Sequence, residues 1–231
     1  MTECYCVCIR EMYNNPSLFS RAVEKLPWND RKEKISGFVH NKDKYLCATA
    51  GVLLKYLFEI NGIRDCTLLK NEYGKLYSKS CPELHFNLSH SGDYAVCVLS
   101  DSEIGADVEI IKNGDFQLAR LFFTDKENEF LEKSEEFDRD FFRIWTLKES
   151  WLKRIGIGLS GSMKSFSVIP AQDNVDEGYA IYGTKAFDEE RGNFANGVFF
   201  TEYAFDGHRI AVCSSEKCKL HINRLTLSHI I

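Results

Sequence analysis

The chain has 231 residues, 44% hydrophobic and 27% charged, which is enough for one large domain or two small fused ones. Its formal net charge of −5 argues against general affinity for nucleic acid, so a phosphate-binding site must be a local basic patch. The N-terminus lacks a continuous apolar segment, and no run of about 18 apolar residues occurs. We therefore expect neither a signal peptide nor a membrane span.

The nine cysteines include no CxxC pair, which argues against a zinc or thioredoxin-like site and favours a reducing cytoplasm. Cys4, Cys6 and Cys8 alternate along the first predicted strand, residues 3–9, and are typical of one buried strand face. Three helices are predicted next, over 16–25, 29–37 and 42–60, and Asn61-Gly62 ends the third. Further predicted strands cover 67–69, 85–89, 94–99 and 104–110.

Helices are predicted at 116–123, 124–133 and 137–155, with Gly156 ending the last. Strands are then predicted at 164–169, 178–184, 197–206, 208–214 and 219–225. The order strand, helices, strands occurs twice, so we predict an α+β fold with two similar halves packed in one body. The predicted boundary separates an N-terminal half, residues 1–102, from a C-terminal half, residues 103–231.

Two acidic residues stand out in Gly105-Ala106-Asp107-Val108-Glu109. Asp107 and Glu109 are two positions apart, so on a strand both side chains point to one face. Like charges on one face are unfavourable unless a cation lies between them, although a solvent-facing pair is an equally weighted alternative.

The helical segment 145–153 contains Glu149 between Lys148 and Lys153. Carboxylates beside lysines suit a site that holds a divalent cation together with a polyphosphate. The alternative is an ordinary helical ion pair between Glu149 and Lys153, worth about 0.3–0.5 kcal/mol.

The segment 86–92, Phe-Asn-Leu-Ser-His-Ser-Gly, is rich in groups that donate to phosphate oxygens, among them Ser89 and His90. A polar hairpin turn explains it equally well. Adjacent residues of a strand face opposite ways, so Ser89 and His90 are poor partners for nucleophilic catalysis. Glu127 lies three residues after Thr124 in a capping box, so a structural role is strongly favoured for it.

Together the motifs resemble the surfactin-type 4′-phosphopantetheinyl transferases over roughly residues 20–215. The matching segments are 72–75, 86–92, 104–109, 122–127 and 145–150, and they are specific as a set rather than singly. The resemblance implies that the phosphopantetheine arm of coenzyme A is transferred to a serine of an acyl or peptidyl carrier protein. Adenosine 3′,5′-bisphosphate would be released, magnesium would be required, and the site would lie in the cleft between the two halves.

Carried over by position, the resemblance implies three metal ligands: Asp107, Glu109 and Glu149. It implies catalytic roles for Glu149 as general base, for Lys153, and for Glu127 near the metal. The implied coenzyme A contacts are Arg31, Lys34, Lys75, Ser89, His90, Lys148 and Lys153.

One position departs from the family pattern. Leu46 stands where the family usually carries an arginine that grips the nucleotide, and Lys44 is a candidate substitute. A monomeric enzyme without nucleic-acid or membrane partners is expected. The alternatives are a coenzyme A-binding or carrier-binding protein without catalysis, and a metal-dependent phosphohydrolase.

Overall fold

The computed structural model describes residues 2–64, 66–158, 162–171, 180–217 and 220–231. It has an α+β fold, as predicted. The α-helices of the described residues are α1 (Arg10–Asn14), α2 (Pro16–Lys25), α3 (Asn29–Gly37), α4 (Asn41–Ile60), α5 (Phe116–Phe122), α6 (Asp125–Glu132), α7 (Phe137–Ile155) and α8 (Leu227–Ile230), and a short 3-10 helix covers Met163–Ser165.

The strands before α5 are β1 (Thr2–Cys8), β2 (Leu68–Lys70), β3 (Leu76–Ser78), β4 (His85–Ser91), β5 (Tyr94–Ser100) and β6 (Ile104–Ile110). Those after α7 are β7 (Phe166–Ile169), β8 (Ala180–Tyr182), β9 (Lys185–Asp188), β10 (Asn193–Phe194), β11 (Phe199–Phe205), β12 (His208–Ser214) and β13 (Ile222–Leu225). They form two four-stranded sheets, ordered β13-β1-β5-β4 and β6-β12-β11-β8, and two smaller sheets, β10-β9-β7 and β2-β3.

The two four-stranded sheets pack on each other through alternating apolar residues. Cys4, Cys6, Val96 and Val98 of the first sheet share a buried cluster with Ile104, Ala106, Val108, Ile210 and Val212 of the second. Because strand side chains alternate, the opposite faces are left for the long helices. Helix α4 packs on the first sheet and α7 on the second.

The long helix α7 ends as its sequence predicts. Gly156 adopts φ +77°, a left-handed conformation that favours glycine, and its N–H bonds the Leu152 carbonyl. Phe141, Ile144, Leu147 and Leu152 lie on its buried face. This helix carries Glu149 and Lys153, so its placement determines the site.

The C-terminal strand lies beside the N-terminal strand. Strand β13 pairs in parallel with β1, with Cys4 opposite Ile222, and Leu227 and Ile230 of α8 join the N-terminal core. This pairing places β13 and α8 against N-terminal elements, and the division into residues 1–102 and 103–231 stays a prediction. A parallel pair has no turn signal between its strands, so the sequence pattern could not reveal it.

Most predicted elements occur within two residues of their expected bounds, and α2, α3, α7, β6 and β12 match residue for residue. Cys4 and Cys6 are buried as predicted, whereas Cys8 is partly exposed. Residues 178–179 and 219 of two predicted strands lie outside the described residues. Among the described helices, none has both the length and the apolar character needed to cross a membrane.

Candidate functional site at the seam between the sheets

Helix α7 lies unusually close to strand β6, and Gly105 makes this possible. A Cβ atom at Gly105 would lie 2.1 Å from the Ser150 carbonyl oxygen and 2.3 Å from the Arg154 nitrogen. Any larger residue would push the helix away. Since Asp107 and Glu109 share the strand face of Gly105, the close approach places Glu149 and Lys153 over these carboxylates.

Asp107 is the centre of the resulting group. Its Oδ1 accepts hydrogen bonds from Lys153 Nζ at 2.6 Å and Ser89 Oγ at 2.8 Å, and Lys153 Nζ also lies 2.9 Å from Ser89 Oγ. Asp107 is only 3% exposed, and its Oδ2 is buried without a hydrogen-bond partner in the described structure. The helical pair between Glu149 and Lys153 is therefore replaced by a pair between α7 and β6.

Glu109 and Glu149 extend the acidic group. Burial raises the pKa of Glu109, and neighbouring Asp107 raises it further, while Ser91 Oγ donates to Glu109 Oε2 at 2.6 Å. Burial, and then Asp107, raises the pKa of Glu149 to about 7. Glu149 Oε1 is also buried without a partner among the described residues. Three crowded carboxylates beside Lys153 favour an additional cation.

A magnesium ion fits this donor set only in part. Two buried carboxylate oxygens, on Asp107 and Glu149, are unpartnered, and hard cations prefer such oxygens. However, no three His, Cys, Asp or Glu side chains of the described residues are already arranged to hold a metal ion. Magnesium commonly uses one or two carboxylates with water and phosphate oxygens, and this site offers that kind of partial set.

A cavity of about 230 Å³ opens beside Lys153. Its lining comes from the turn after β2, from β4 and from the end of α7, and comprises Tyr73, Gly74, Lys75, Leu76, Phe86, Asn87, Leu88, Lys153, Gly156 and Gly158. The cavity therefore lies between the N-terminal elements and the C-terminal helix.

Lys75 joins the two sides of that cavity. Its Nζ donates to the Arg154 carbonyl at 2.6 Å, and Asn71 Nδ2 donates to the Gly156 carbonyl at 2.8 Å. Carbonyls at the end of a helix lack partners within the helix, so this turn caps α7. Burial lowers the pKa of Lys75.

Basic side chains gather around His90 on β4. Partial burial lowers the pKa of His90, and the positive charges of Lys153, Lys34 and Arg31 lower it further. Arg31 packs on Gly51 of α4, where a Cβ atom would lie 2.6 Å from the Arg31 Cδ. The Arg31 guanidinium also donates a hydrogen bond to the Cys47 carbonyl. The charges that act on His90 therefore come from three basic residues, Lys153, Lys34 and Arg31, which we call the basic patch around His90.

Leu46 occupies the position that the resemblance assigns to a family arginine. It is 4% exposed and belongs to the apolar core under α4. A charge at this position would be buried in that core, so the substitution fits this protein's packing.

Glu127 and Lys148 form a separate buried pair. Lys148 Nζ donates to both Glu127 oxygens at 2.8 Å and to the Phe166 carbonyl at 2.6 Å. The Glu127 oxygens also accept from the backbone N–H groups of Thr124 and Val168, and the capping box is present. Lys148 is completely buried with three acceptors, so no ammonium proton remains for a phosphate. This placement disagrees with the expected contacts of Lys148 and Glu127.

The sequence indicated Ser91 only as a candidate donor to phosphate oxygens, and it gave no indication of the contact made by Asn71. Ser91 belongs to a period-two series of polar residues with Asn87 and Ser89, and that alternation was a readable signal. Asn71 had no comparable signal, because its partner at the end of α7 is 85 residues away.

Comparison with known proteins finds similar sequences. Residues 103–213, which contain β6, α7 and β12, match the sequence model of the 4′-phosphopantetheinyl transferase superfamily. The chain is 34% identical to a 4′-phosphopantetheinyl transferase of Aneurinibacillus migulanus over 175 residues, 69% of this chain and 73% of the relative. It is 35% identical to one of Bacillus subtilis over 147 residues, 60% of this chain and 64% of the relative.

A human relative, L-aminoadipate-semialdehyde dehydrogenase-phosphopantetheinyl transferase, is 29% identical over 210 residues, 81% of this chain and 66% of the relative. The chain thus spans about two thirds of the length of these relatives. The chain belongs to the 4′-phosphopantetheinyl transferase superfamily, a family of transferases.

Proposed function

We propose that the protein transfers the 4′-phosphopantetheine arm of coenzyme A to a serine of a carrier protein. The observation that carries the proposal is the acidic group formed by Asp107, Glu109 and Glu149 beside Lys153, at the edge of a cleft. We call it the unsaturated group, because one buried carboxylate oxygen of Asp107 and one of Glu149 have no hydrogen-bond partner among the described residues. The relatives named as 4′-phosphopantetheinyl transferases support the same reaction class.

In the proposed reaction, the serine Oγ forms a bond to the phosphorus that carries pantetheine. The bond from that phosphorus to the bridging pyrophosphate oxygen breaks, and adenosine 3′,5′-bisphosphate leaves with the electron pair. The serine proton passes to a base. Glu149 is the proposed base because it belongs to this acidic group and its Oε1 has no hydrogen-bond partner among the described residues.

Magnesium is the proposed cofactor, with Asp107, Glu109 and Glu149 as its protein ligands. When bound, the ion neutralises charge that develops on the pyrophosphate oxygens. Lys153 supplies a second positive charge at the same place, and its side chain is 26% exposed toward the cleft. The chain's own contribution is thus to hold three carboxylates and one ammonium group in a fixed arrangement.

The basic patch around His90 is the proposed site for the remaining phosphate groups of coenzyme A. The positive charges of Arg31 and Lys34 act on His90 and lower its pKa. Ser89 and Lys153 link this patch to Asp107, and Lys75 lines the adjoining cavity. Lys148 does not enter this proposal, because its ammonium protons are used inside the core.

Helix α5 is the proposed contact surface for the carrier protein. Phe116, Leu118 and Leu121 are exposed by 50%, 40% and 63%, so the helix presents a partly apolar surface to solvent. A carrier that brings its serine to the cleft needs such a surface nearby. We propose a monomer in the cytoplasm, where the eight described cysteines, all unpaired, would remain reduced.

The test is the intact mass of an apo acyl carrier protein after incubation with this protein, coenzyme A and magnesium. We expect a gain of one phosphopantetheine arm that EDTA prevents and added magnesium restores. Coenzyme A binding without any gain, across acyl and peptidyl carriers, would indicate a non-catalytic binding protein. Free phosphopantetheine without carrier modification would indicate a phosphohydrolase.

A further inference from the structure

Strand β6 is an edge strand whose outward N–H groups are satisfied in an unusual way. Its inner edge pairs with β12. In an antiparallel pair, alternate residues direct their N–H groups away from the partner strand. On β6 these belong to Ala106, Val108 and Ile110, and a buried N–H without an acceptor is costly.

Side chains of β4, rather than a backbone ladder, accept these three protons. Ala106 N donates to Asn87 Oδ1 at 3.0 Å, Val108 N to Ser89 Oγ at 3.3 Å, and Ile110 N to Ser91 Oγ at 3.2 Å. Since residues two apart on a strand share a face, one face of β4 covers the free edge of β6. We call Asn87, Ser89 and Ser91 the seam residues.

The two serines among the seam residues do more than the asparagine. A hydroxyl has one proton, so an Oγ that accepts from a backbone N–H can still donate once. Ser89 donates to Asp107 Oδ1 at 2.8 Å, and Ser91 donates to Glu109 Oε2 at 2.6 Å. Each acidic side chain of β6 is therefore tied to the strand that also supplies acceptors for the β6 backbone.

Ser91 is itself held firmly, because the turn that follows it is packed on the C-terminal half. Gly92 adopts φ +57°, and a Cβ there would lie 2.1 Å from His208 Nε2. The next residue, Asp93, accepts a 2.9 Å hydrogen bond from Arg10, which also donates to Asp206 at 2.7 Å. These contacts connect both halves beside Ser91.

We propose that Ser91 is a positioning residue that orients the Glu109 carboxylate for metal binding. The inference rests on the proposed magnesium site. A carboxylate with one oxygen held by a hydroxyl keeps its other oxygen in a defined direction, and loss of such an outer contact commonly weakens metal binding 10–100-fold. The ligand that this residue would help to bind is a hard divalent cation, held by a Glu109 carboxylate oxygen.

The test compares Ser91→Ala with Asn87→Ala, because each variant leaves one β6 N–H without its acceptor but only the first releases a carboxylate. Mn²⁺ binding to the purified protein, measured by the loss of the free-ion signal in electron paramagnetic resonance, reports on the site without requiring turnover. We expect Ser91→Ala to bind Mn²⁺ about tenfold more weakly, and Asn87→Ala to match the wild type. Ser91→Thr keeps the hydroxyl and should restore most of the affinity.

Equal Mn²⁺ affinities of the wild type and Ser91→Ala would overturn the inference. Equal losses in Ser91→Ala and Asn87→Ala would also overturn it, because they would indicate a general loosening of the seam. Absence of Mn²⁺ binding by the folded wild type would overturn it together with the metal site. A Ser91-dependent Mn²⁺ affinity without carrier modification would sustain the inference and refute only the transferase proposal.

Discussion

Two buried carboxylate–lysine pairs occupy the C-terminal part of the molecule, and they differ in how completely they are satisfied. In the pair of Glu127 and Lys148, every ammonium proton has an acceptor and both carboxylate oxygens have several donors. In the pair of Asp107 and Lys153, one carboxylate oxygen has no partner among the described residues, and two further carboxylates crowd the same place.

Burial alone therefore does not identify a charged residue that binds a ligand. A saturated ion pair in a core stabilises a particular arrangement and has no capacity left for a ligand. An unsaturated group with raised carboxylate pKa values is unfavourable in the free protein and becomes favourable when a cation binds. The two pairs should therefore respond to mutation in opposite ways, one in activity and one in stability.

The largest expected effect is on activity, at Asp107. Asp107→Asn keeps the size of the side chain but removes the charge, so we expect transfer to a carrier to fall by about a thousandfold or more, roughly 4 kcal/mol of transition-state stabilisation. The rate of carrier modification at saturating coenzyme A and magnesium measures this. The thermal unfolding midpoint serves as the control and should not fall. A variant with normal activity would remove Asp107 from the site.

The next effect is on stability, at Glu127. Glu127→Gln leaves Lys148 as an uncompensated charge in a core position, so we expect a loss of about 3–5 kcal/mol in the free energy of unfolding. Urea denaturation measures it. Replacing both residues by Met should recover the part of the loss that comes from the uncompensated ammonium group, but not the part that comes from the Thr124 and Val168 N–H groups and the Phe166 carbonyl, which lose their partners. If Glu127→Gln unfolds like the wild type, the saturated pair does not have the structural role described.

A smaller effect is on the pH dependence of the free energy of unfolding, at Glu149. The folded protein holds the pKa of Glu149 at about 7, above the ordinary value of 4.5, so ionisation of Glu149 opposes folding. Stability from this group is fully present below pH 4.5 and is lost as the pH rises through 7. Glu149→Gln should therefore be more stable than the wild type at pH 8, by on the order of 2 kcal/mol, and equal at pH 4.

Thermal unfolding of both proteins in EDTA at the two pH values measures this difference. Magnesium at pH 8 should reduce the stability difference between Glu149→Gln and the wild type, since a bound cation favours the ionised wild-type carboxylate. An unchanged difference between pH 4 and pH 8 would show that Glu149 is not a strained carboxylate.

The smallest effect is on ligand affinity, at His90. His90→Ala removes a group that lies among Arg31, Lys34 and Lys153, so we expect coenzyme A binding to weaken about tenfold. Binding of dephospho-coenzyme A, which lacks the 3′-phosphate, should weaken less. Isothermal titration of both ligands measures the two losses. Equal losses would mean that His90 does not read the 3′-phosphate.

The sequence predicted much of this molecule because the signals were local. The end of α7 at Gly156 and the shared face of Asp107 and Glu109 follow from one turn of helix and one repeat of a strand. Glu127 shows the limit of such reasoning. Its capping box was correctly predicted, yet its pairing with Lys148 depends on how α6 meets α7, which no local pattern contains.

The contacts between β4, β6 and α7 could not be predicted for the same reason, because they depend on long-range packing. Lys153 had a helical partner within reach at Glu149, but the close approach allowed by Gly105 brought Asp107 nearer. Ser91 acquires its contact with Glu109 only when β4 covers the edge of β6. Long-range contacts of this kind decide which predicted site residues meet, and they separated Lys148 and Glu127 from the others.

The most direct measurement compares carrier modification by two variants that each remove one of the buried pairs. Asp107→Asn disrupts the unsaturated group, and the Glu127→Met/Lys148→Met double variant replaces the saturated pair while keeping a filled core. Intact-mass kinetics under conditions where both variants are folded should show no transfer by the first and near-normal transfer by the second. Transfer by Asp107→Asn, or its loss in a folded double variant, would contradict the assignment of function to the unsaturated group.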